Sequence, residues 1–268
     1  GRAVLMRVTI LGCGGSGGVP LVGNVWGACD PAEPRNRRLR GSILVEVAGA
    51  TILVDASPDL RAQLLATEVR RIDAVIITHA HADHVNGLDD LRYVNRLMRQ
   101  PIPLYADRAT LDELRQRFGY AFRPLDGHGY YRPVLEPHEV AAGTEFEAAG
   151  VTVLPIAQDH GFMPSLGLRL GAFAYSTDVV RMDEAAFGAL AGIDTWIVGC
   201  FQQTVHPTHA HLPLVLEWVG RLRPRRTVLT HMSERLDFAT LTATLPAGVE
   251  PAHDGLVLVL ADHPAVLA

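Results

Sequence analysis

Cysteine is scarce in this 268-residue chain, and Cys13, Cys29 and Cys200 form an odd set with no CxxC pair. That usage fits a reducing compartment and argues against both a disulfide framework and a thiolate metal site. A basic excess is missing as well. With 24 Lys+Arg against 29 Asp+Glu the formal charge is -5, which disfavours tight non-specific nucleic-acid binding through phosphate neutralisation. A usable membrane span is also lacking. Residues 8–29 are uncharged throughout, but seven of them are glycine and Pro20 and Asn24 interrupt the rest, so a helix satisfying its own backbone in lipid is not expected. Ile10-Leu11-Gly12-Cys13 has the outline of a lipoprotein cleavage site, yet only four residues separate Arg7 from Gly12, too few for a signal-peptide apolar core. The expectation is a cytoplasmic protein with Met6 as a candidate native start.

What is present fits a folded enzyme-sized chain. Hydrophobic residues make up 48% and charged residues 20%, which excludes the disordered classes. The apolar runs are short and β-branched: 8–11, 43–47, 52–54, 74–77, 151–154, 196–198, 228–229 and 256–260. Several are continuous rather than alternating, as strands buried on both faces are. Helical patterns fall between them at 58–67, with Ser57 as N-cap and Pro58 in the first turn, and at 111–118, 183–190 and 213–222. Strands alternating with helices, with no linker or repeat, predict a single α/β domain over 1–268. The Gly-, Pro- and aromatic-rich segment 119–139 has no clear period and reads as an active-site flap or a long surface connection.

The chain has 12 histidines, and they cluster. Ala74-Val75-Ile76-Ile77 runs straight into Thr78-His79-Ala80-His81-Ala82-Asp83-His84, placing four candidate ligands within six residues. A strand end followed by a tight turn points His79 and His81 the same way and turns Asp83 and His84 toward a neighbouring point. One loop can therefore serve two metals, and the alanines at 80 and 82 leave room for converging imidazoles.

This Thr-His-x-His-x-Asp-His motif after a hydrophobic strand resembles the signature of metallo-β-lactamase-fold hydrolases. The resemblance implies a four-layer αββα sandwich, two packed mixed β-sheets flanked by helices, with metals at one edge of the sheets. It further implies that His160, Asp178 and His231, each at a later strand end, complete the ligand set, with Asp178 bridging two ions. Asp55, closing Ile52-Leu53-Val54, matches an early carboxylate of the family that accepts the free ring N–H of a ligand histidine. A carboxylate at a helix N-terminus is the alternative reading of Asp55.

Within the superfamily the chain is similar to the branch holding the phosphoribosyl cyclic phosphate phosphodiesterase of phosphonate breakdown, tRNase Z and the pyrroloquinoline quinone biosynthesis protein. The likeness lies in the Gly-rich stretch 11–20, in Thr208-His209-Ala210-His211-Leu212 and in the segment 229–237 around His231. The phosphodiesterase carries an extra structural zinc on a Cys cluster and a His three residues past the final ligand. Here only Cys29 and Glu234 stand in those places, so no structural zinc is expected.

The resemblance implies two divalent ions per chain: zinc on His79, His81 and His160, and a harder site on Asp83, His84 and His231 that also admits manganese or iron, zinc or manganese being favoured overall. A hydroxide shared between the ions would attack a small phosphodiester, cyclic ones included, in line. Asp83 is assigned to the catalytic set as well as to the ligands. His209 either protonates the leaving oxygen or stabilises charge on the phosphorane. His206 and His211 read as loop and helix-start residues. The loop 12–18 lacks the features of a P-loop or dinucleotide fingerprint and reads as a tight turn beside the metals. Arg35, Arg37, Arg38 and Arg40 form the one basic run, either a solvated arm or an attractor of phosphorylated substrate. A tRNase Z-like ribonuclease, a thioester or lactam hydrolase and a non-catalytic cofactor-biosynthesis carrier stay open as alternatives. A small phosphodiester is the expected partner, nucleic acid and membrane are not, and a homodimer stays open.

Overall fold

The computed structural model describes residues 5–260; residues 1–4, part of the segment ahead of the candidate start Met6, lie outside them. Two seven-stranded mixed sheets pack face to face with helices on their outer faces, the four-layer arrangement expected. The first sheet holds β1 (Met6–Gly12), β2 (Ser42–Val47), β3 (Ala50–Val54), β4 (Ala74–Ile76), β5 (Ile102–Ala106) and β6 (Leu135–Glu139) in that order, with β14 (Val257–Leu260) beside β1. The second holds β7 (Phe146–Ala148), β8 (Val151–Asp159), β9 (Pro164–Leu170), β10 (Phe173–Ser176), β11 (Thr195–Gly199), β12 (Arg226–Thr230) and β13 (Val249–Pro251).

The continuous apolar runs have a simple cause. Ile43, Val45, Ile52, Val54, Ala74 and Ile76 enter the core shared with the second sheet, which receives Val153, Leu168 and Phe173 from the other side. Leu44, Leu53 and Val75, one residue out of phase, enter a separate core under α1 (Leu60–Ala66), α3 (Leu91–Met98) and α4 (Arg108–Phe118). Period-two alternation thus reads as an unbroken run because both faces are covered. On the second sheet, α5 (Glu184–Leu190), α6 (Leu212–Leu222) and α7 (Phe238–Thr244) bury Phe187, Trp218 and Leu241.

Topology gathers one set of strand ends. β3, β4, β5 and β6 pair in parallel, as do β10, β11, β12 and β13. β8 runs in the direction of β10 because both are antiparallel to β9. The carboxyl ends of β3, β4, β8, β10 and β12 therefore open on the same edge.

Three local expectations change. Helix α1 begins at Leu60, not Pro58, because Ser57 Oγ accepts from the Asp59 amide in a turn before the helix, while the Asp59 carboxylate is taken by Arg40 at 2.7 Å. Segment 119–139 starts as a 3-10 turn, Gly119–Phe122, and ends as the edge strand β6. The arginine run divides: Arg35 and Arg37 are exposed to solvent, while Arg38 is buried and Arg40 partly so. Buried Arg38 donates to the Ser233 and Leu236 carbonyls at 2.9 and 2.6 Å, Arg40 pairs with Asp59, Arg35 pairs with Glu33, and Arg37 stacks over Trp26. Arg38 thereby ties the 29–38 segment to the turn that follows His231. In residues 8–29, β1 gives way to turns, and among the described residues no helix is long and apolar enough to cross a membrane.

Candidate metal centre

Each strand end delivers one part of the centre. Asp55 follows β3, and His79, His81, Asp83 and His84 follow β4, the last two on the short helix α2 (Ala82–Val85). His160, Asp178 and His231 follow β8, β10 and β12. Asp55, Asp178 and His231 hold left-handed φ values of 62°, 43° and 51°. For residues other than glycine that conformation costs on the order of 1 to 3 kcal/mol, and it turns the side chain away from the strand direction toward the edge.

The side chains converge in two groups. His79, His81, His160 and Asp178 form one, and Asp83, His84, His231 and Asp178 the other, with ligand atoms in each group within 4.8 Å of one another. Asp178 belongs to both. Its Oδ2 faces His79 Nε2 at 3.6 Å and His160 Nε2 at 3.4 Å, while its Oδ1 faces His84 Nε2 and His231 Nδ1 at 3.2 Å each.

Outer hydrogen bonds decide which ring nitrogen faces inward. Buried Asp55 accepts from the Thr78 amide and hydroxyl at 2.8 Å each and from His84 Nδ1 at 2.6 Å, which turns His84 Nε2 toward Asp178. The Thr78 hydroxyl, its proton given to Asp55, lies 3.0 Å from His79 Nδ1 and accepts from it, so one carboxylate orients two imidazoles. His160 Nδ1 donates to the Thr208 carbonyl at 2.7 Å. His81 Nδ1 lies 3.0 Å from His79 Nε2 and 3.2 Å from His160 Nε2, so three ring nitrogens face one point where a single His81 proton can serve only one neighbour and a cation could serve all three. Other inward atoms have no partner at all. Asp83 Oδ2, His84 Nε2 and both ring nitrogens of His231 are buried with no hydrogen-bond partner. Buried polar atoms are rarely left so, and all are metal donors of the kind zinc or manganese accepts. The cluster fits a dinuclear metal site.

Electrostatics keep most of these groups in ligand form, with His84 the exception. Burial pushes the His79 imidazolium far down, with His84 adding to the effect, and it lowers His81 likewise. Burial alone would raise Asp178, but His231, His84 and His79 hold it well below the usual carboxylate range. Asp83 is lowered in the same way, with His84 and His231 outweighing its desolvation. His84 goes the other way: Asp178, Asp55 and Asp83 outweigh its burial and raise it, which favours the imidazolium until a metal ion takes the place of the Nε2 proton.

A cavity of about 300 Å³ opens over the centre, lined by His81, Asp83, His160, Asp178, His209 and His231 together with Ser16, Ala82, Phe162, Met163 and Thr208. His209 sits outside both groups, its Nδ1 3.9 Å from Asp178 Oδ2, stacked on Phe201 and His231 with centroids 4.7 and 4.9 Å apart. Burial, with His231 next in effect, pushes it down to about 3. His211 stands at the N-cap of α6, and His206 packs on Phe201. The Gly-rich turn borders the cavity through Ser16. A Cβ at Gly12 would come within 2.1 Å of the Arg40 carbonyl, so that close approach requires glycine. Sequence reasoning missed Thr78, Phe201, Phe162 and Met163. Thr78 alone left a signal, as the residue between strand and histidine motif.

The family model described as "Beta-lactamase superfamily domain" matches residues 50–232, and the chain belongs to that superfamily. Its fold is the metallo-β-lactamase fold, and its His/Asp cluster fits the dinuclear metal site of that fold. More particularly, it is similar in structure to a diphosphatase from the PhnP family, with 34% identity and a TM-score of 0.87 over 96% of this chain and 98% of that one. Human short-form tRNase Z shares the fold at a TM-score of 0.69 and 19% identity, over 96% of this chain and 99% of that one. Among curated relatives, an octanoyltransferase of Porphyromonas gingivalis is 33% identical over 258 residues, 95% of this chain and 52% of that protein. Coenzyme PQQ synthesis protein B of Xanthomonas oryzae is 35% identical over 129 residues, 41% of this chain and 40% of that one. The chain thus spans about half the length, or less, of these curated relatives.

Proposed function

We propose that this chain is a metal-dependent phosphodiesterase acting on a small diester, with the described residues of both sheets working as one unit. The observation that carries the reading is the placement of His209: a non-ligand imidazole in the wall of a small cavity, beside a carboxylate shared by two ligand groups. The 34% identity to a PhnP-family diphosphatase, nearly end to end, supports phosphorus chemistry.

Two divalent ions, when bound, supply Lewis acidity toward the phosphoryl oxygens and a water that ionises near neutral pH. The chain's own residues do the rest. Asp178 fixes the spacing of the two groups through its two oxygens. Asp83 would hold a metal through its buried Oδ2, and its other carboxylate oxygen would orient the attacking water; held ionised, it is too weak a base to take the proton outright. His209 is neutral at pH 7 with its pKa near 3. A neutral imidazole is a poor reservoir of protons but a good N–H donor. The lowered pKa favours a role in charge stabilisation at the phosphoryl group over protonation of the leaving oxygen, a contribution typically worth about 10² in rate. No spare arginine or lysine faces the cavity among its lining residues, which favours a diester over the more highly charged monoester.

An acyl thioester is the second reading, favoured by the likeness to a protein named octanoyltransferase. The experiment that separates them loads the protein with zinc or manganese and compares initial rates on bis-p-nitrophenyl phosphate, p-nitrophenyl phosphate and an octanoyl thioester. The diester is expected to turn over fastest. A clear monoester preference, or turnover of the thioester alone, overturns the proposal.

A further inference from the structure

A larger cavity of about 680 Å³ adjoins the catalytic one, and the two share Phe162 and Met163 in their walls. Both residues sit on the turn that links His160 to β9. That turn is pinned: the Gly161 amide donates to Asp159 Oδ1 at 2.7 Å, the His160 amide donates to the Met163 carbonyl at 3.0 Å, and Asp159 also pairs with Arg181 at 2.8 Å. Gly161 has φ +86°, and a Cβ there would lie 2.8 Å from Thr208 Cγ2, so the turn is pressed against the loop that carries His209. From this fixed support Phe162 projects with 92% of its surface exposed. The pinned backbone carries the ring outside the core, with its aromatic face in water until something covers it.

We propose that the larger cavity is the subsite for the organic group of the diester, with Phe162 as its stacking platform, and that it takes a planar ring of nucleobase size. The proposal rests on the phosphodiesterase reading above. The charge of the lining decides against a second phosphate, since Asp159 and Asp183 stand there against Arg181 alone. The thioethers of Met163 and Met182 suit an aromatic partner, sulfur against ring being a favourable contact. The guanidinium plane of Arg181 stacks on rings and donates to ring nitrogens, which an alkyl chain would not use. The volume admits a ring with its sugar while the phosphorus stays beside Asp178.

The test uses two substrates with the same cyclic diester, adenosine 2′,3′-cyclic phosphate and ribose 2,3-cyclic phosphate, on the metal-loaded protein. The wild type is expected to prefer the adenosine compound through a lower KM. In Phe162→Ala the ratio of the two kcat/KM values should fall about tenfold, since stacking of a base on an aromatic ring is worth about 1 to 3 kcal/mol. Phe162→Trp adds a readout that needs no turnover: adenosine 5′-monophosphate should quench the new indole emission, and ribose 5-phosphate should not. If neither cyclic diester is hydrolysed but the quench is seen, the subsite stands and the phosphodiesterase reading falls. Equal ratios in wild type and Phe162→Ala, or quenching by octanoate in place of the nucleotide, overturn the subsite.

Discussion

Asp55 Oδ2 lies 2.6 Å from His84 Nδ1, with both side chains fully buried. The alternative role of Asp55 as a helix-terminal carboxylate is set aside by this contact. Its oxygens are occupied by His84 and Thr78, and helix α1 begins five residues later. The carboxylate turns His84 Nε2 toward Asp178, and through Thr78 it does the same for His79 Nε2.

Asp55→Asn keeps the shape but replaces one acceptor oxygen with a donor that opposes His84 Nδ1–H. Metal affinity should fall by roughly 10- to 100-fold, as for the loss of other outer partners of ligand histidines. Competition with a coloured chelator measures this. Unchanged affinity would mean that the imidazoles are oriented without Asp55.

His209→Ala should lower diester turnover by about 10² while leaving metal content intact, since the residue stands outside both ligand groups. Because His209 is neutral, the loss should be similar for good and poor leaving groups. A loss confined to poor leaving groups would restore the proton-donor role, and loss of metal would make His209 a ligand.

Asp254 accepts from the Cys13 and Leu39 amides at 3.0 and 2.7 Å, joining the Gly-rich turn to the arginine segment. Burial outweighs these donors and pushes its carboxyl up to about 6 from 3.8. A carboxyl raised on folding binds its proton more tightly in the folded chain, so the stability it lends is full below about pH 4 and is lost as pH rises through about 6. Across that window the wild type should lose on the order of 3 kcal/mol relative to Asp254→Asn. Urea unfolding of both metal-free proteins from pH 4 to 7 reads the difference, and parallel curves would contradict it.

Much of the fold and the centre was legible in particular residues. The run His79 to His84 declares itself by spacing, and His160, Asp178 and His231 stand out because each ends an apolar strand. Other features depend on partners far along the chain. Asp59 is denied its capping role by Arg40, so the start of α1 could not be placed from Ser57-Pro58. Arg38 looked like one of four similar arginines; only the closeness of Ser233 and Leu236, about 200 positions away, makes it a buried tie. Phe162 carries no local signal, because its exposure follows from the packing of Gly161 beneath Thr208. Strand β9 was missed for a related reason: Gly167 and Arg169 blur the apolar alternation, and tertiary contacts decide the outcome. Helix α3 keeps Leu91, Val94 and Met98 at helical spacing and was missed because its 8 residues hold barely two turns of pattern.

The central claim is that seven side chains form one centre for two metals, joined by Asp178. Elemental analysis of the protein reconstituted with zinc or manganese and freed of excess metal tests it most directly, with Asp178→Ala alongside. The account predicts two ions per wild-type chain and a lower content in the variant, lost first from the group of Asp83, His84 and His231, since the other group keeps three imidazoles. A wild type holding no transition metal, or an Asp178→Ala chain that still holds two, would contradict it.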